Sequence, residues 1–218
     1  MQWRVNTPTD LGRSLSEDAM KKLIIVFLIM FSASAVFAEL SKEQFREFYK
    51  EIATERDSLK KIDRALYVLK KCDAYQKFLI LKEAAYASFD LKQYDDAKMY
   101  ATQMLSLSNG YSTDWNYGNA VHNGNLILGR VALQQNDIEG AKEYLLKAGQ
   151  TTGSPQLKSF GPNMSLANDL LEKDEKQTVI EYFELCKKFW KMNDGRLDSW
   201  IASIKGGGKP YFGTNLKY

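Results

Sequence analysis

Two stretches of this 218-residue chain share one pattern, and that pattern constrains the fold more than any other feature. Leu81–Leu105 (LKEAAYASFDLKQYDDAKMYATQML) and Asn125–Ala148 (NLILGRVALQQNDIEGAKEYLLKA) each read as an apolar helix, a short polar turn and a second helix with alanine at a fixed place. The apolar residues recur at helical spacing, the mark of a helix with one buried face. No segment alternates with period two, and few β-branched runs argue against an all-β fold. A helical hairpin cannot bury its apolar face alone, so a repeated hairpin predicts hairpins stacked on hairpins. The expected fold class is all-α, with stacked antiparallel helical hairpins.

The residues at the fixed places carry a family resemblance. In the second segment Leu128-Gly129 forms a large–small pair and Ala132 follows on the same helix. Asn136-Asp137 makes the turn, and Ala141 and Ala148 open and close the next helix. In the first segment Ala84-Ala85, Tyr94, Ala97, Ala101 and Leu105 stand at corresponding or neighbouring places. This arrangement resembles the tetratricopeptide repeat, in which small residues let the paired helices approach and larger ones fill the gap to the next pair. A third, weaker unit is expected over Asn163–Phe189. There Leu166-Ala167 takes the large–small pair, Val179 takes the alanine, and Tyr182, Phe183 and Cys186 continue the packing face. The spacing departs from the family. Ala97 to Ala141 is 44 residues and Tyr144 to Tyr182 is 38, against about 34 in the family. The extra length lies in Ser106–Gly124 and Gly149–Pro162. A more generic stack of helical hairpins fits the same residues. The resemblance implies a concave surface that takes a peptide or protein partner.

Other helices are expected on both flanks. Ser41-Lys42-Glu43-Gln44 fits a capping box, and Phe45, Phe48, Tyr49 and Ile52 follow on one helix face. Helices are expected over 41–57 and 58–73, the second capped by Ser58. A last helix is expected over Leu197–Ile204 with Trp200 facing inward. Ser154-Pro155 and Gly161-Pro162 punctuate the chain before the third unit.

Residues 20–38 read as a secretory signal peptide. Lys21 and Lys22 precede the apolar run Leu23–Phe31, and Val36 and Ala38 suit cleavage after Ala38. The run is short for a membrane span, which needs about 20 apolar residues. No stable span is expected after cleavage, and the protein is expected to be secreted or periplasmic. Residues 1–19, polar and aperiodic, are expected to be a non-native extension upstream of a true start at Met20. The helical domain is then 39–205, followed by a Gly/aromatic tail over 206–218 that docks on the body or occupies a groove.

Beyond residue 38 the chain holds 26 basic and 24 acidic side chains, interspersed, and nothing resembles a basic nucleic-acid stripe. Cys72 and Cys186 could pair in an oxidising compartment, or could be two buried thiols. Two cysteines and one histidine give no zinc-site spacing, and no cofactor is implied. Gly206-Gly207-Gly208-Lys209 lacks the spaced glycine and the Ser or Thr of a phosphate loop. Asp95-Asp96 and Glu172, Asp174 and Glu175 fall at helix turns and N-termini, where acids suit the dipole. Asn163-Met164-Ser165 is a glycosylation sequon.

The lone His122 lies in a stretch that interleaves rings and amides. Tyr, Trp and Asn give rigid contact area with adaptable hydrogen bonds, as on recognition surfaces. The expected partner-binding residues are Trp115, Asn116, Tyr117, Asn119, His122 and Asn125, facing a protein or peptide. Three alternatives stay open: rings that plug a groove between hairpins, a small hydrolase using His122, and a structural envelope protein with no ligand.

Overall fold

A computed structural model describes residues 39–216. The expected signal peptide, its cleavage after Ala38 and the extension 1–19 lie outside the described residues. The described chain is all-α. The first helices are α1 (Lys42–Thr54), α2 (Ser58–Leu69), α3 (Ala74–Asp90) and α4 (Tyr94–Ser108). A 3-10 turn, Asn109–Tyr111, leads to α5 (Tyr117–Gln134), α6 (Ile138–Gly149) and the short α7 (Pro155–Ser159). Then come α8 (Ser165–Leu171), α9 (Lys176–Cys186), α10 (Arg196–Lys205) and a second 3-10 turn, Gly213–Leu216. Successive helices from α1 to α6, and α8 to α10, pack antiparallel on their sequence neighbours, α7 packs on α5, and α3 also meets α5. No described helix is long and apolar enough to cross a membrane.

Local chemistry sets the helix ends. The capping box at Ser41 forms, with the Ser41 hydroxyl accepting from Gln44 N and the Gln44 side chain accepting from Ser41 N. A second box forms at Asp73 and Gln76. Ser58 is not the cap of α2. Asp57 accepts from the backbone of Leu59 and Lys60, because a carboxylate competes better for two N–H groups. Ser58 instead donates to Asp90.

The turns inside the three hairpins are copies of one another. Lys92, Asn136 and Asp174 are non-glycine residues at φ 61°, 61° and 65°, in α3/α4, α5/α6 and α8/α9 respectively. Each is followed by an N–H that reaches back five residues: Gln93 to Ser88 O, Asp137 to Ala132 O, Glu175 to Leu170 O. This is the Schellman closure with a left-handed residue at its corner. The corners lie 44 and 38 residues apart, the same intervals as the side-chain pattern.

The small residues sit where helices cross. Ala85, Ala97, Ala141 and Ala167 are fully buried. A Cβ on Gly129 would come within 2.3 Å of Leu166 Cδ2, so glycine lets α5 approach α8. The two connections are not long loops. Residues 106–124 hold the end of α4, the 3-10 turn and the start of α5, and residues 149–162 hold α7. Thr151 donates to Gly118 O at 2.9 Å, which ties the second connection to the first turn of α5.

The last helix buries Trp200, whose ring meets Phe212 at 4.9 Å and Phe183 at 5.6 Å. The tail therefore docks on the body. Asn215 Nδ2 donates to Phe160 O and Pro162 O, and Met164 N donates to Asn215 O. Cys72 and Cys186 are not bridged. Both are free, buried thiols in separate clusters, Cys72 among α1–α3 and Cys186 among α6, α8, α9 and α10. Burial pushes Cys72 up to about 12 and Cys186 higher still.

Candidate functional site

A cleft of about 240 Å³ opens where α3 and α5 lie side by side. From α3 come Phe78, Leu79, Lys82 and Tyr86, and from α5 come Asn119, Ala120, His122 and Asn123. Tyr49 of α1 and Met104 of α4 contribute from the neighbouring helices. Gln156 and Leu157 of α7, with Phe160, Gly161 and Asn163, make the far wall. Asn119 and Asn123 share a face of α5 because they stand four residues apart in a helix.

Hydrogen bonds preset this lining. Asn119 Nδ2 donates to Gln156 Oε1 at 3.1 Å, and Asn119 Oδ1 accepts from the Ser154 hydroxyl at 2.6 Å. Ser154 also caps α7, accepting from Leu157 N, with Pro155 at the first helical position. Asn123 Oδ1 accepts from the Tyr86 hydroxyl at 2.9 Å, and its Nδ2 donates to Asn119 O. The amides are thus largely engaged with one another. Burial raises the Tyr86 phenol to about 12, so it remains a donor across the ordinary pH range.

One charged group faces the cleft. Burial opposes the charge on Lys82, but the Glu83 carboxylate at 2.9 Å outweighs it and holds the ammonium pKa above its ordinary value. Glu83 is buried and also accepts from Lys61 at 3.1 Å. Two ammonium groups around one carboxylate leave a net positive charge beside the cleft.

His122 is 1% exposed. Its Nε2 lies 3.1 Å from the Tyr182 hydroxyl, and Nδ1 has no hydrogen-bond partner. Burial lowers its pKa from 6.5 to about 4, which the adjacent Asn123 side chain offsets slightly. The ring is therefore neutral at neutral pH. Its bonded neighbour is a phenol held protonated by burial, not a nucleophile activated for attack. The hydrolase alternative draws no support from this geometry. Among the described residues no group of three or more metal-ligating side chains converges.

Of the six expected residues, Asn116, Asn119 and His122 line the cleft. Trp115 stands beside it, 57% exposed, next to Tyr75, which is packed on Tyr111 at 5.3 Å. The exposed Trp115 ring plugs no groove, whereas Tyr111 of the same stretch stacks on Phe78 of α3 at 4.9 Å. Tyr117 is half-buried and outside the lining, and Asn125 is buried with its Nδ2 donating to Val121 O at 2.8 Å. Asn125 turns inward because it stands three residues from His122 on the core-facing side of α5. Sequence reasoning missed Lys82, Tyr86, Asn123, Gln156 and Phe160. The signal for Asn123 was available: 116, 119 and 123 fall on one helical face once α5 is begun at Tyr117. Nothing local marks Lys82 or Gln156. Asn163 is 4% exposed and its side chain accepts from Ser165 N, which leaves no room for a glycan.

The chain matches no protein-family model, no curated protein and no solved structure. The reading of the cleft rests on its own geometry.

Proposed function

We propose that this chain is a secreted or periplasmic binding module of tetratricopeptide-like build, whose cleft between successive hairpins takes a segment of a peptide or protein partner. The observation that carries this reading is the cleft itself. It is concave, walled by rings and apolar side chains, and furnished with a few fixed polar groups, as ligand sites generally are. Its lining comes from two different hairpins and from the connections between them, so it exists only in the folded stack. The exposed indole of Trp115 beside it supplies the kind of aromatic anchor that dominates binding energy at interfaces.

The test is selection of peptides from a random display library on the purified protein, followed by the affinity of the winners for Trp115→Ala. Capture is expected to fall at least about tenfold, which corresponds to about 1.4 kcal/mol. Stability should stay within about 0.5 kcal/mol, because Trp115 is exposed. Failure to select any peptide, or equal affinity for the variant in a folded state, would remove the reading.

A further inference from the structure

The cleft is unevenly supplied with hydrogen-bonding capacity. Five side-chain amides line it, and each of their oxygens is already engaged. Asn119 Oδ1 accepts from the Ser154 hydroxyl, Asn123 Oδ1 from the Tyr86 hydroxyl, and Gln156 Oε1 from Asn119 Nδ2. Asn163 Oδ1 accepts from Ser165 N, and Asn116 Oδ1 from Asn119 Nδ2 at 3.5 Å. Donors are left over. Gln156 Nε2 makes no hydrogen bond among the described residues, and it is not one of the buried unmatched atoms, so it is open to solvent. Its head group lies in the cleft wall, because its own oxygen meets Asn119 there. Lys82 uses one N–H on Glu83 and has two more. Its side chain is 35% exposed, and its ammonium lies within electrostatic reach of Tyr49 and Tyr86, which both line the cleft. Helical spacing agrees, since Phe78, Lys82 and Tyr86 stand four residues apart on one face of α3.

We propose that the occupant of this cleft is a proline-rich segment of the partner, in the extended polyproline conformation. The inference rests on the binding reading above and names the chemistry of that same site. An ordinary peptide brings an N–H for each C=O, and a buried N–H without an acceptor is costly. Here each such N–H would have to share an oxygen that already accepts. Proline has no backbone N–H, so a run of prolines presents carbonyls alone. Those carbonyls match Gln156 Nε2 and the two remaining N–H groups of Lys82. The walls suit the same ligand. Tyr49, Phe78, Tyr86 and Phe160 line the cleft, and the exposed Trp115 stands beside it. Aromatic-lined grooves take polyproline segments because the ligand is stiff before it binds and loses little chain entropy. An acidic segment fits less well, because Lys82 already faces the Glu83 carboxylate. A sugar brings a donor with every hydroxyl and meets the same shortage of acceptors.

The test uses the full chain, labelled with ¹⁵N, and three probes: tetraproline, tetraalanine and tetraglutamate, each with an N-acetyl and a C-terminal dimethylamide cap. Tetraproline is expected to shift the Gln156 side-chain amide signal saturably, together with the backbone amides of Asn119 and Ala120. Its affinity should exceed that of the other two by at least about tenfold. Gln156→Glu keeps the oxygen that holds Asn119 and replaces the donor with an acceptor, so it should weaken tetraproline at least about tenfold. Lys82→Met keeps an apolar stem, leaves Glu83 with Lys61, and should weaken it by a smaller factor. Unchanged affinity in both variants overturns the inference. Tetraalanine or tetraglutamate binding as tightly as tetraproline overturns the proline chemistry and leaves the cleft as a peptide site. If no probe gives a saturable shift, the peptides selected by display decide. Winners enriched in proline support the inference, winners without it overturn the inference alone, and no winners remove the binding reading as well. Should a variant fail to fold, the ranking of the three probes on the wild-type chain decides.

Discussion

The turns within the hairpins and the connections between them are built on different principles. Lys92, Asn136 and Asp174 repeat one backbone solution three times, with the same back-reaching N–H after each. The connections share nothing of this kind. One is a 3-10 turn, Asn109–Tyr111, followed by the irregular turns that carry Trp115 and Asn116, and the other is a short helix capped by Ser154. The cleft draws its far wall from the second connection, and its other side from α3 and α5, the first helices of two successive hairpins. Repetition makes the scaffold, and departure from repetition makes the site. The tail strengthens the same division, because Asn215 grips Phe160 O, in that far wall, and the adjoining Pro162 O.

The largest effect is expected where the scaffold is tightest. Gly129→Leu would drive a side chain into Leu166, Tyr144 and the Ala141 carbonyl. Overpacking of this kind costs about 3 kcal/mol, a large share of the stability of a typical domain. Denaturant unfolding checks it. A shift under about 0.5 kcal/mol would mean that the α5–α8 crossing is looser than its geometry.

A comparable effect comes from pH. His122 has a folded pKa of about 4 against an ordinary 6.5, since burial disfavours the cation. Between those values the unfolded chain binds a proton that the folded chain refuses. The contribution of His122 to stability is therefore whole above pH 6.5 and declines as the pH falls toward 4, by about 3 kcal/mol in all. The charged Lys82 nearby and the protonated Tyr86, Tyr182 and Cys186 do not titrate in that window. Unfolding curves of wild type and His122→Asn across the window test this. Parallel losses in the two proteins would assign the acid sensitivity elsewhere.

The smallest effect tests whether the three turns are equivalent. Lys92 holds a left-handed conformation that costs a non-glycine residue about 1 kcal/mol. Lys92→Gly should stabilise by up to about that amount, and Asn136→Gly by less, because asparagine tolerates this region. Thermal melts would show the order. A destabilised Lys92→Gly would separate the first turn from the others.

The helices and hairpins were legible because their information is local. Apolar spacing, the Ser41 capping box and the fixed alanines predict α1, α4 and α6 within a few residues of their observed ends, but start α3 at Leu81 where it begins at Ala74, and α5 at Asn125 where it begins at Tyr117. The third hairpin was legible from Leu166-Ala167 and Val179, although its first helix is only a short one. The site was legible in part. Asn116, Asn119 and His122 belong to it, but reading residues 106–124 as an insertion concealed the helical face that adds Asn123. Asn125 shows the converse error, since a polar residue in a polar stretch gives no sign that its helix turns it inward.

By itself the sequence determined that this chain is helical, where its hairpins turn, and which small residues let the helices close. Those outcomes depend on neighbours within one or two turns of helix. Only the tertiary structure decided that Lys82 and Tyr86 face Asn119 and His122, that Gln156 and Phe160 complete the wall, and that Cys72 and Cys186 stay apart in separate cores. Those outcomes depend on how far one hairpin is carried past the next. That offset is set by the packing of Gly129, Leu166 and the two connections, and not by any pattern along the chain.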